Sequence, residues 1–339
     1  MRRRWHNLRS PSFMMRHHRK SLRNKQQTVR LRCKIGNIMQ PEPKHILSFK
    51  TALTAGTIRA AADQLGLEPS TVSRNIASLE KQLATALIER GRKGVMPTEA
   101  GLLLLDYAQR QSGEMEALRS QLDALANMKR GAISIALGEG FVGDFSQSVL
   151  AKFSRDQPEI TFSLNVGSTD QMTDAVIEDR AHIGLAYDVA PNARLNIIAH
   201  ADRPLVVVCQ KGGKFDAAGE ARIAEFSSLP CAFLNKGYGV GAVIADMEAS
   251  HGFRARAVME TGSIAALKAF VRSDLGITLL PEFVVADEIK AGTLRARKVA
   301  VSNFGSGKVS LFVRQGRRLP LAAQKLIPAM SRSLVALNG

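Results

Sequence analysis

The sequence predicts a chain of mixed fold class, with an all-α winged helix-turn-helix at its N-terminal end, then a long linker helix and a two-lobed α/β domain. Three observations predict this order. Residues 45–98 read as helix, glycine turn, helix and hairpin. Residues 99–128 repeat apolar side chains at alternating spacings of four and three. The remainder alternates strand-like and helical runs, and 339 residues with 45% hydrophobic content can form two domains with cores.

The first 40 residues carry most of the chain's excess positive charge. The formal net charge is +17, and residues 1–40 contain twelve Lys and Arg with no Asp or Glu. This stretch could be a basic arm that grips DNA phosphates, or a disordered tail with the start of translation nearer Met39. Its composition favours the tail, so DNA binding has to be argued from the residues that follow.

The first two helices are predicted from apolar spacing and from the residues that end them. A first helix of about ten residues begins near His45 and ends at Gly56. Thr57 can cap a second, Ala-rich helix over residues 58–65, because a side-chain oxygen at this position accepts from the free N–H groups of the first turn. Gly66 then supplies a left-handed turn before the next helix.

A third helix is predicted to begin at Ser70, which is a good N-cap, and to bury one apolar face. That face comprises Val72, Ile76, Leu79 and Leu83. The opposite face carries short hydroxyl side chains and an arginine, a composition suited to phosphates and base edges in a major groove. The predicted DNA-binding residues on this helix are Ser70, Thr71, Ser73, Arg74 and Ser78.

Residues 87–98 predict a β-hairpin wing, since two short apolar stretches flank a Gly-Arg-Lys-Gly tip. The hairpin would place Arg90, Arg92 and Lys93 against the DNA backbone or the minor groove. An ordinary solvated basic hairpin is the alternative. The position directly after the third helix favours the DNA-binding interpretation.

A long helix is predicted from Thr98, its N-cap, to about Asn127. Its apolar seam comprises Leu104, Ala108, Met115, Leu118, Leu122 and Leu125, and is polar only at Gln111. A heptad seam predicts pairing with the same helix of a second chain, which would join two wing domains for a two-fold DNA site. The alternative is an amphipathic helix that lies on its own domain. Gly113 is expected to weaken or bend the middle of this helix.

The region after residue 130 predicts parallel sheets covered by helices. Strand-like runs alternate there with helical ones, such as residues 171–179. The strand-like runs are residues 132–137, 160–166, 183–187 and 205–209. Chain crossings near residues 195–205 and 270–310 would divide the region into two lobes with a cleft between them.

Three loops are expected to line that cleft, with a fourth closing it from the second lobe, because ligands of open α/β folds lie at the C-terminal ends of strands and at helix starts. Hydroxyl groups and free N–H groups at these starts favour a carboxylate or another polar anion. The predicted effector-binding residues are Gly138, Glu139, Gly140, Ser168, Thr169, Tyr238, Thr261 and Ser263. The alternative is that each loop is an ordinary capped helix start.

The N-terminal motifs resemble those of the LysR-type transcriptional regulators. The resemblance is carried by Ala60-Ala61-Ala62, Val72-Ser73-Arg74-Asn75-Ile76 and Pro97-Thr98-Glu99-Ala100-Gly101, in order and without gaps. Pro69 departs from the pattern, because many members carry a base-reading Gln there, and this shifts the expected contacts to the residues that follow. Residues 258–281, which end in Leu275-Gly276-Ile277-Thr278-Leu279-Leu280-Pro281, resemble the family's effector domain, itself similar to periplasmic solute-binding proteins.

The resemblance implies a DNA-binding transcription regulator controlled by a small-molecule effector. Its expected partners are a double-stranded DNA operator, the effector, further copies of the chain in a dimer or a dimer of dimers, and RNA polymerase. A cytoplasmic location and no cofactor are expected. The expected parts are a tail at 1–40, a DNA-binding domain at 41–98, a linker helix at 99–128 and an effector domain at 129–339.

Other classes of function lack support in the sequence. No nucleophile elbow, phosphate-binding Gly-rich loop, metal-ligand spacing or supported carboxylate pair indicates an enzyme or a metal site. No stretch is long and apolar enough to predict a membrane span. Cys209 and Cys231 leave redox sensing open, although buried, inert thiols are the favoured interpretation. A solute-binding protein without a DNA-regulatory role is the alternative function, but it would need a secretory signal and would not use a wing.

Overall fold

The computed structural model describes residues 41–91, 94–126, 130–300 and 306–336. Contacts divide the chain into two compact units, Met1–Ala108 and Gln109–Gly339. The boundary falls inside one long helix, so the first part of that helix belongs to the first unit and the remainder to the second. The predicted tail at residues 1–40 lies outside the described residues.

Three helices and a hairpin form the first unit. They are α1 (Pro43–Ala55), α2 (Ile58–Leu65), α3 (Pro69–Leu83), β1 (Ile88–Gly91) and β2 (Gly94–Pro97). Thr57 caps α2 as predicted, since the N–H of Ala60 donates to its hydroxyl oxygen over 3.1 Å. Gly66 is left-handed as predicted, with φ of 63°. Ala61 and Ala62 are fully buried, and these small side chains let α1 and α3 pack closely on α2.

The third helix begins one residue earlier than predicted. Its first residue is Pro69 and its N-cap is Glu68, so the prediction that Ser70 is the N-cap is wrong. Proline suits the first helical position because its fixed φ is helical and because the N–H it lacks would have no partner there. The predicted apolar face is buried at Val72, Ile76 and Leu79. Leu83, the last residue of the helix, is instead 37% exposed.

The predicted wing is an antiparallel hairpin in which Gly91 pairs with Gly94. The N–H of Val95 donates to the carbonyl of Gly56 over 2.8 Å, which fixes the hairpin to the turn between α1 and α2. Gly94 has φ of 101° and lies so close to the Gly56 carbonyl that a Cβ atom would overlap it. Glycine is therefore needed at this position of the hairpin.

The long helix is α4 (Glu99–Leu125), and Thr98 caps it as predicted by accepting a 3.0 Å bond from the N–H of Gly101. The helix is continuous through Gly113. Gly113 is buried, and the side chain of Arg317 and the carbonyl of Arg318 lie near it. This glycine therefore marks a packed contact within the second unit, and a weakening or bend of the helix at this position stays a prediction.

Ten strands and six helices, with two further helical segments at residues 139–156 and 282–285, follow in the described part of the second unit. The strands are β3 (Gly131–Gly138), β4 (Ile160–Gly167), β5 (Ile183–Tyr187), β6 (Leu195–Asp202), β7 (Leu205–Gln210), β8 (Cys231–Leu234), β9 (Ala257–Thr261), β10 (Ile277–Pro281), β11 (Leu294–Arg297) and β12 (Lys308–Arg314). The helices are α5 (Thr169–Ile177), α6 (Ile223–Ser228), α7 (Gly239–His251), α8 (Ile264–Arg272), α9 (Ala286–Lys290) and α10 (Leu321–Ala336).

The strands form two five-stranded sheets, one in each lobe. Lobe I has the strand order β4-β3-β5-β12-β6, and lobe II has the order β11-β7-β10-β8-β9. The chain crosses between lobes from β6 to β7 and from β11 to β12. Both crossings fall inside the predicted ranges, 195–205 and 270–310, which were too wide because they also included β6, β10 and β11.

Both sheets are mixed, which corrects the prediction of parallel sheets. β3 runs parallel to β4 and β5, and β8 runs parallel to β9 and β10. β12 runs antiparallel to β5 and β6, and β7 runs antiparallel to β10 and β11. The physical reason in lobe I is connectivity, because β12 enters directly from lobe II without the crossover helix that a parallel neighbour would need.

Neither a membrane-spanning helix nor a cluster of metal ligands occurs in the described ranges. None of the helices in these ranges combines the length and the apolar character that a membrane span requires. Within the same residues, no group of three or more His, Cys, Asp or Glu side chains is arranged to hold a metal ion.

A carboxylate on α4 joins this helix to lobe I. Glu116 accepts from Nε2 of His182 over 2.9 Å and from the guanidinium of Arg317 over 3.0 Å. Nδ1 of His182 accepts from the N–H of Ser134 over 3.0 Å, so the ring proton is on Nε2 and is directed at Glu116. The hydrogen bond from His182, followed by that from Arg317, lowers the pKa of Glu116 to about 2 despite its partial burial.

Replacing Glu116 with Gln should therefore destabilise the protein most at neutral pH. The folded-state pKa lies below the ordinary value of 4.5, so the ionised carboxylate stabilises the fold above that value and loses its contribution as pH falls towards 2. Because the Glu116 side chain is 41% exposed, we expect a loss of only about 1 kcal/mol at pH 7. Urea unfolding between pH 7 and pH 3 measures the difference.

Glu114→Gln is the matched control, because Glu114 lies on the same helix but makes an exposed ion pair with Arg318. It should change the free energy of unfolding less than Glu116→Gln does. Equal stability of Glu116→Gln and the unsubstituted chain at pH 7 would contradict the assigned role.

Candidate DNA-binding face and effector cleft

The polar face of α3 is accessible at all five predicted DNA-binding positions. Ser70 and Arg74 are exposed, and Thr71, Ser73 and Ser78 are half-buried. Arg74 folds back over the first turn, where its guanidinium donates to the Ser70 carbonyl and to the Thr71 hydroxyl, both over 3.3 Å. The structure thus brings Ser70, Thr71 and Arg74 together at the start of the helix and places Ser73 and Ser78 further along it.

Two polar side chains that the sequence reasoning missed anchor α3 from behind. The amide of Asn75 donates to the hydroxyl of Ser48 on α1 over 2.9 Å, and Ser48 is almost fully buried. The carboxylate of Glu80 accepts from the N–H groups of Leu87 and Ile88 over 2.8 and 3.3 Å. These bonds fix α3 against α1 and against the hairpin. Their partners lie 27 and 7 to 8 residues away, so no local pattern indicates them.

The wing residues are only partly within the described chain. Arg92 and Lys93 lie outside the described residues, and Arg90 belongs to β1 without a description of its side chain. DNA contact by these three residues stays a prediction.

The two faces of α4 have different surroundings. On one face the seam residues Met115, Leu118, Leu122 and Leu125 are between 46% and 81% exposed. On another face Gly113 and Ala117 are buried, and the hydroxyl of Ser120 accepts from the N–H of Leu321 over 3.0 Å. From Gly113 onward the helix therefore lies on lobe I, as the alternative interpretation held, and the seam residues from Met115 to Leu125 remain uncovered, whereas Leu104 packs on the core of the first unit and Ala108 is buried.

A cavity of about 40 Å³ lies where the predicted cleft residues meet. Of those residues, Gly138, Glu139, Gly140, Thr169 and Tyr238 line it. Ser168, Thr261 and Ser263 do not line it, although Ser168 and Ser263 are adjacent in sequence to residues that do. Sequence reasoning missed most of the apolar part of the lining, which includes Tyr187, Leu234, Pro281 and Phe283. Most of these residues lie at or just after strand ends, but as ordinary apolar residues they carry no signal for a ligand.

The hydroxyls of lobe I at this cavity are already hydrogen-bonded. Ser168 caps α5 by accepting from the N–H of Gln171 over 3.3 Å, and the Gln171 side chain accepts from the N–H of Ser168 in return. Thr169 accepts from the N–H of Gly239, at the start of α7, over 2.8 Å and donates to the Tyr187 carbonyl over 3.1 Å. Ser168 therefore has the structural role of a cap, whereas Thr169 connects the two lobes.

The start of α8 is occupied by a carboxylate of the chain itself. Glu139 accepts from the N–H groups of Ile264 and Ala265 over 2.8 and 3.1 Å, and from the hydroxyl of Ser263 over 3.3 Å. The hydroxyl of Thr261 accepts in turn from the N–H of Ser263 over 3.1 Å. The expectation of free donors at this helix start is therefore wrong, because Glu139 binds them.

A larger groove of about 1320 Å³ lies beside the two lobe crossings and the start of α8. Its lining carries charges of both signs, among them Arg203, Lys268, Lys298, Glu282 and Asp287. Of the predicted effector-binding residues, Glu139 and Gly140 line this groove, and the remainder of its lining was not predicted because it comes from segments that are far apart along the chain. Its mixed charge does not select a class of ligand.

Cys209 and Cys231 are fully buried in adjoining parts of lobe II. Burial raises the pKa of the Cys209 thiol to about 11 and that of the Cys231 thiol to about 12. Because the thiolate is the reactive form, both thiols are inert at neutral pH. The interpretation as buried hydrophobic residues is therefore favoured over redox sensing by this pair.

Comparisons with known proteins match both units. The family description "Bacterial regulatory helix-turn-helix protein, lysR family" matches residues 43–102, and "LysR substrate binding domain" matches residues 126–334. The chain is 27% identical over 246 residues to the uncharacterized HTH-type transcriptional regulator YeiE of Escherichia coli, covering 73% of this chain and 82% of that protein. It is 27% identical over 250 residues to a probable RuBisCO transcriptional regulator of Porphyra purpurea, covering 72% and 79%.

Two solved structures share the fold. Full-length OxyR from Pseudomonas aeruginosa superposes with a TM-score of 0.61 at 16% identity, covering 86% of this chain and 96% of that chain. Full-length CbnR in complex with its target DNA superposes with a TM-score of 0.51 at 18% identity, covering 86% and 99%.

The buried thiols lead to a prediction about reactivity. In a full-length chain carrying Cys33→Ser, a thiol reagent such as dithionitrobenzoate should label close to zero groups at pH 8 in the folded state. Two groups should react after unfolding in guanidinium, because the raised pKa and the burial are both lost. Rapid labelling of either cysteine in the folded protein would show that its thiol is accessible. That result would favour redox sensing over the interpretation as a buried hydrophobic residue.

Proposed function

The chain belongs to the LysR family of transcriptional regulators, and from this membership we propose that it binds a two-fold DNA operator as a dimer and responds to a small molecule bound between its lobes. The observation that supports DNA binding best is the polar face of α3. Its side chains are accessible, while Asn75 and Glu80 anchor the same helix to α1 and to the hairpin. A rigid helix of this kind, followed by a wing, suits insertion in a major groove.

The first turn of α3 is the part we assign to base and phosphate contact. Recognition helices contact base edges mainly through their N-terminal residues, and here these are Ser70, Thr71 and Arg74. Pro69 occupies the first position and offers no side-chain hydrogen bond. The guanidinium of Arg74 is held near the turn only by weak 3.3 Å bonds, which it can exchange for phosphate or guanine contacts.

The exposed seam of α4 supports the dimer. Leu118 and Leu122 lie about half exposed on a helix whose opposite face is already packed on lobe I. Apolar side chains repeated at this spacing are buried when two such helices pair. We propose that the seam residues from Met115 to Leu125 form part of that pairing surface.

The cavity between the lobes supports a small-molecule site that has to enlarge. Ligand sites have volumes of roughly 300 Å³ or more, whereas this cavity measures about 40 Å³. Binding of an effector in this cavity therefore requires the lobes to separate or their side chains to move. A negative charge on the effector stays a prediction, and one of the helix starts on which it rests is bound by Glu139.

The other expected properties follow from this function. A regulator that binds an operator works in the cytoplasm, where bacterial DNA is located, and contact with RNA polymerase stays a prediction. A solute-binding protein without a regulatory role is not favoured, because residues 43–102 match the helix-turn-helix family.

The proposed DNA contact is tested by the change Arg74→Ala. We expect it to weaken operator binding by about 1 to 3 kcal/mol, since a charge-assisted contact to base or phosphate is lost. Fluorescence anisotropy should compare DNA from upstream of the protein's own gene with a scrambled duplex across a salt series, because non-specific binding falls steeply with salt.

The control for that change is Arg155→Ala, which removes the same charge from an exposed position in the helical segment after β3. It should leave operator affinity unchanged. If Arg74→Ala binds the operator as tightly as the unsubstituted chain, Arg74 is not a DNA contact. If the unsubstituted chain does not distinguish the two duplexes at moderate salt, that DNA is not its target.

The proposed pairing surface is tested by Leu122→Glu. A dimer related by two-fold symmetry loses two buried leucines, so we expect about 3 kcal/mol, or about 100-fold weaker dimerisation. Sedimentation velocity across a dilution series measures the change. The control Gln121→Glu introduces the same side chain one residue away, off the seam. Unchanged dimerisation of Leu122→Glu would exclude the seam from the interface.

A further inference from the structure

The carboxylate of Glu139 forms a bond between the two lobes and not within one of them. Glu139 follows β3 directly and so belongs to lobe I. Its three donors, the N–H groups of Ile264 and Ala265 and the Ser263 hydroxyl, belong to the start of α8 in lobe II. The partners are about 125 residues apart in the sequence, so the bond holds two separately folded sheets together.

The N–H groups that Glu139 binds have no acceptor within their own helix. The first N–H groups of a helix have no carbonyl partner within the helix, and the helix start attracts negative charge. The side chain of Ser263 satisfies one such group, that of Ala266, over 3.3 Å. Glu139 satisfies the two that remain nearest the cavity. Opening the cleft would expose or strip these groups, so the ionised carboxylate stabilises the closed arrangement.

A second bond closes the other side of the same cavity. The Thr169 hydroxyl of lobe I accepts from the N–H of Gly239, at the first turn of α7 in lobe II. Next to it, the N–H of Asp170 donates to the carbonyl of Gly237 over 3.4 Å. The lobes are therefore joined through two helix starts of lobe II, with the cavity of about 40 Å³ between them.

These bonds enclose a cavity of about 40 Å³, which is too small for an effector. We propose that Glu139 is an intramolecular latch, which holds the lobes together in the effector-free protein and has to release α8 before the cleft can accept a ligand. This inference rests on the proposed function only in assigning the cavity to the effector. The bonds from Glu139 to the start of α8 do not depend on that assignment.

The latch is tested by measuring the distance between the lobes. Spin labels are attached to Ala193→Cys in lobe I and Ser250→Cys in lobe II, both at exposed positions, in a full-length chain that carries Cys33→Ser. Labelled protein is mixed with excess unlabelled protein, so that an oligomer contains at most one labelled chain. Pulsed electron–electron double resonance then gives the distance distribution without DNA and without effector.

We expect Glu139→Ala to add a population at longer distance that the unsubstituted chain lacks. Glu139→Gln keeps the shape of the side chain but loses the charge, and should give a smaller longer-distance population. Glu282→Gln is the matched control, because Glu282 lines the neighbouring groove, is exposed and makes no hydrogen bond to α8 among the described contacts. Its distribution should match that of the unsubstituted chain.

Hydrogen exchange on the same proteins gives a second readout. The peptide that contains the N–H groups of Ile264 and Ala265 should exchange about tenfold faster in Glu139→Ala, since each group loses its charged acceptor. Faster exchange with unchanged distances would make Glu139 a local helix cap and would overturn the latch. Unchanged exchange and unchanged distances would overturn it as well.

The distance measurement tests the latch independently of operator binding. A chain that binds its operator but shows the same lobe distances in all variants refutes the latch and keeps the proposed function. A chain with an opened Glu139→Ala variant but without sequence-specific DNA binding keeps the latch and refutes the proposed function. Circular dichroism of each variant confirms that the fold is retained, and the isosteric Glu139→Gln remains informative if Glu139→Ala does not fold.

Discussion

The first N–H groups of a helix find no carbonyl within that helix, and the functional parts of this chain depend on how these groups are satisfied. Thr57 and Thr98 satisfy them within the first unit and so set where α2 and α4 begin. In the second unit the same need joins separate parts of the chain. Glu139 binds the start of α8, and Thr169 binds the start of α7. In α2 and α4 the first N–H groups are satisfied by a neighbouring residue. In α7 and α8 they are satisfied by residues of lobe I, and these bonds therefore connect the lobes.

Helix α4 has one face packed on lobe I and another face that is exposed. Its sequence has a single heptad seam, yet Gly113, Glu116, Ala117 and Ser120 pack on lobe I while the seam residues from Met115 to Leu125 remain exposed. The guanidinium of Arg317 is a buried charge and needs partners of opposite charge. It binds Glu116 and Asp179, each over about 3 Å. The last turns of α4 are thus held on lobe I by charge and hydrogen bonds, and the apolar seam is left for another surface.

Local signals explain which features could be predicted from the sequence. The caps at Thr57 and Thr98, the turn at Gly66 and the hairpin at 87–98 all depend on residues a few positions apart, and all are found. The start of α3 was misplaced because Ser70 is a good cap by residue type, while Pro69 fixes the first helical turn one residue earlier. Family membership, which rests on these local motifs, was therefore predictable.

The cleft was less predictable, because its bonds join residues far apart along the chain. Glu139 and α8, and likewise Glu116 and His182, come together only once the sheets have formed. The anion site was predicted because helix starts attract negative charge. Nothing in the sequence indicated that the carboxylate of Glu139 provides this negative charge at the start of α8.

Lobe I is the part of the second unit to which the other parts are attached. It holds α4 through Glu116, and it holds lobe II through Glu139 and Thr169. The two attachments differ in their surroundings. Glu116 binds the nearly buried side chains of His182 and Arg317, whereas Glu139 binds N–H groups at the rim of a cavity. Breaking the contacts at the cleft leaves α4 fixed on lobe I, so an opening of the cleft moves lobe II against a body that comprises lobe I and the last turns of α4.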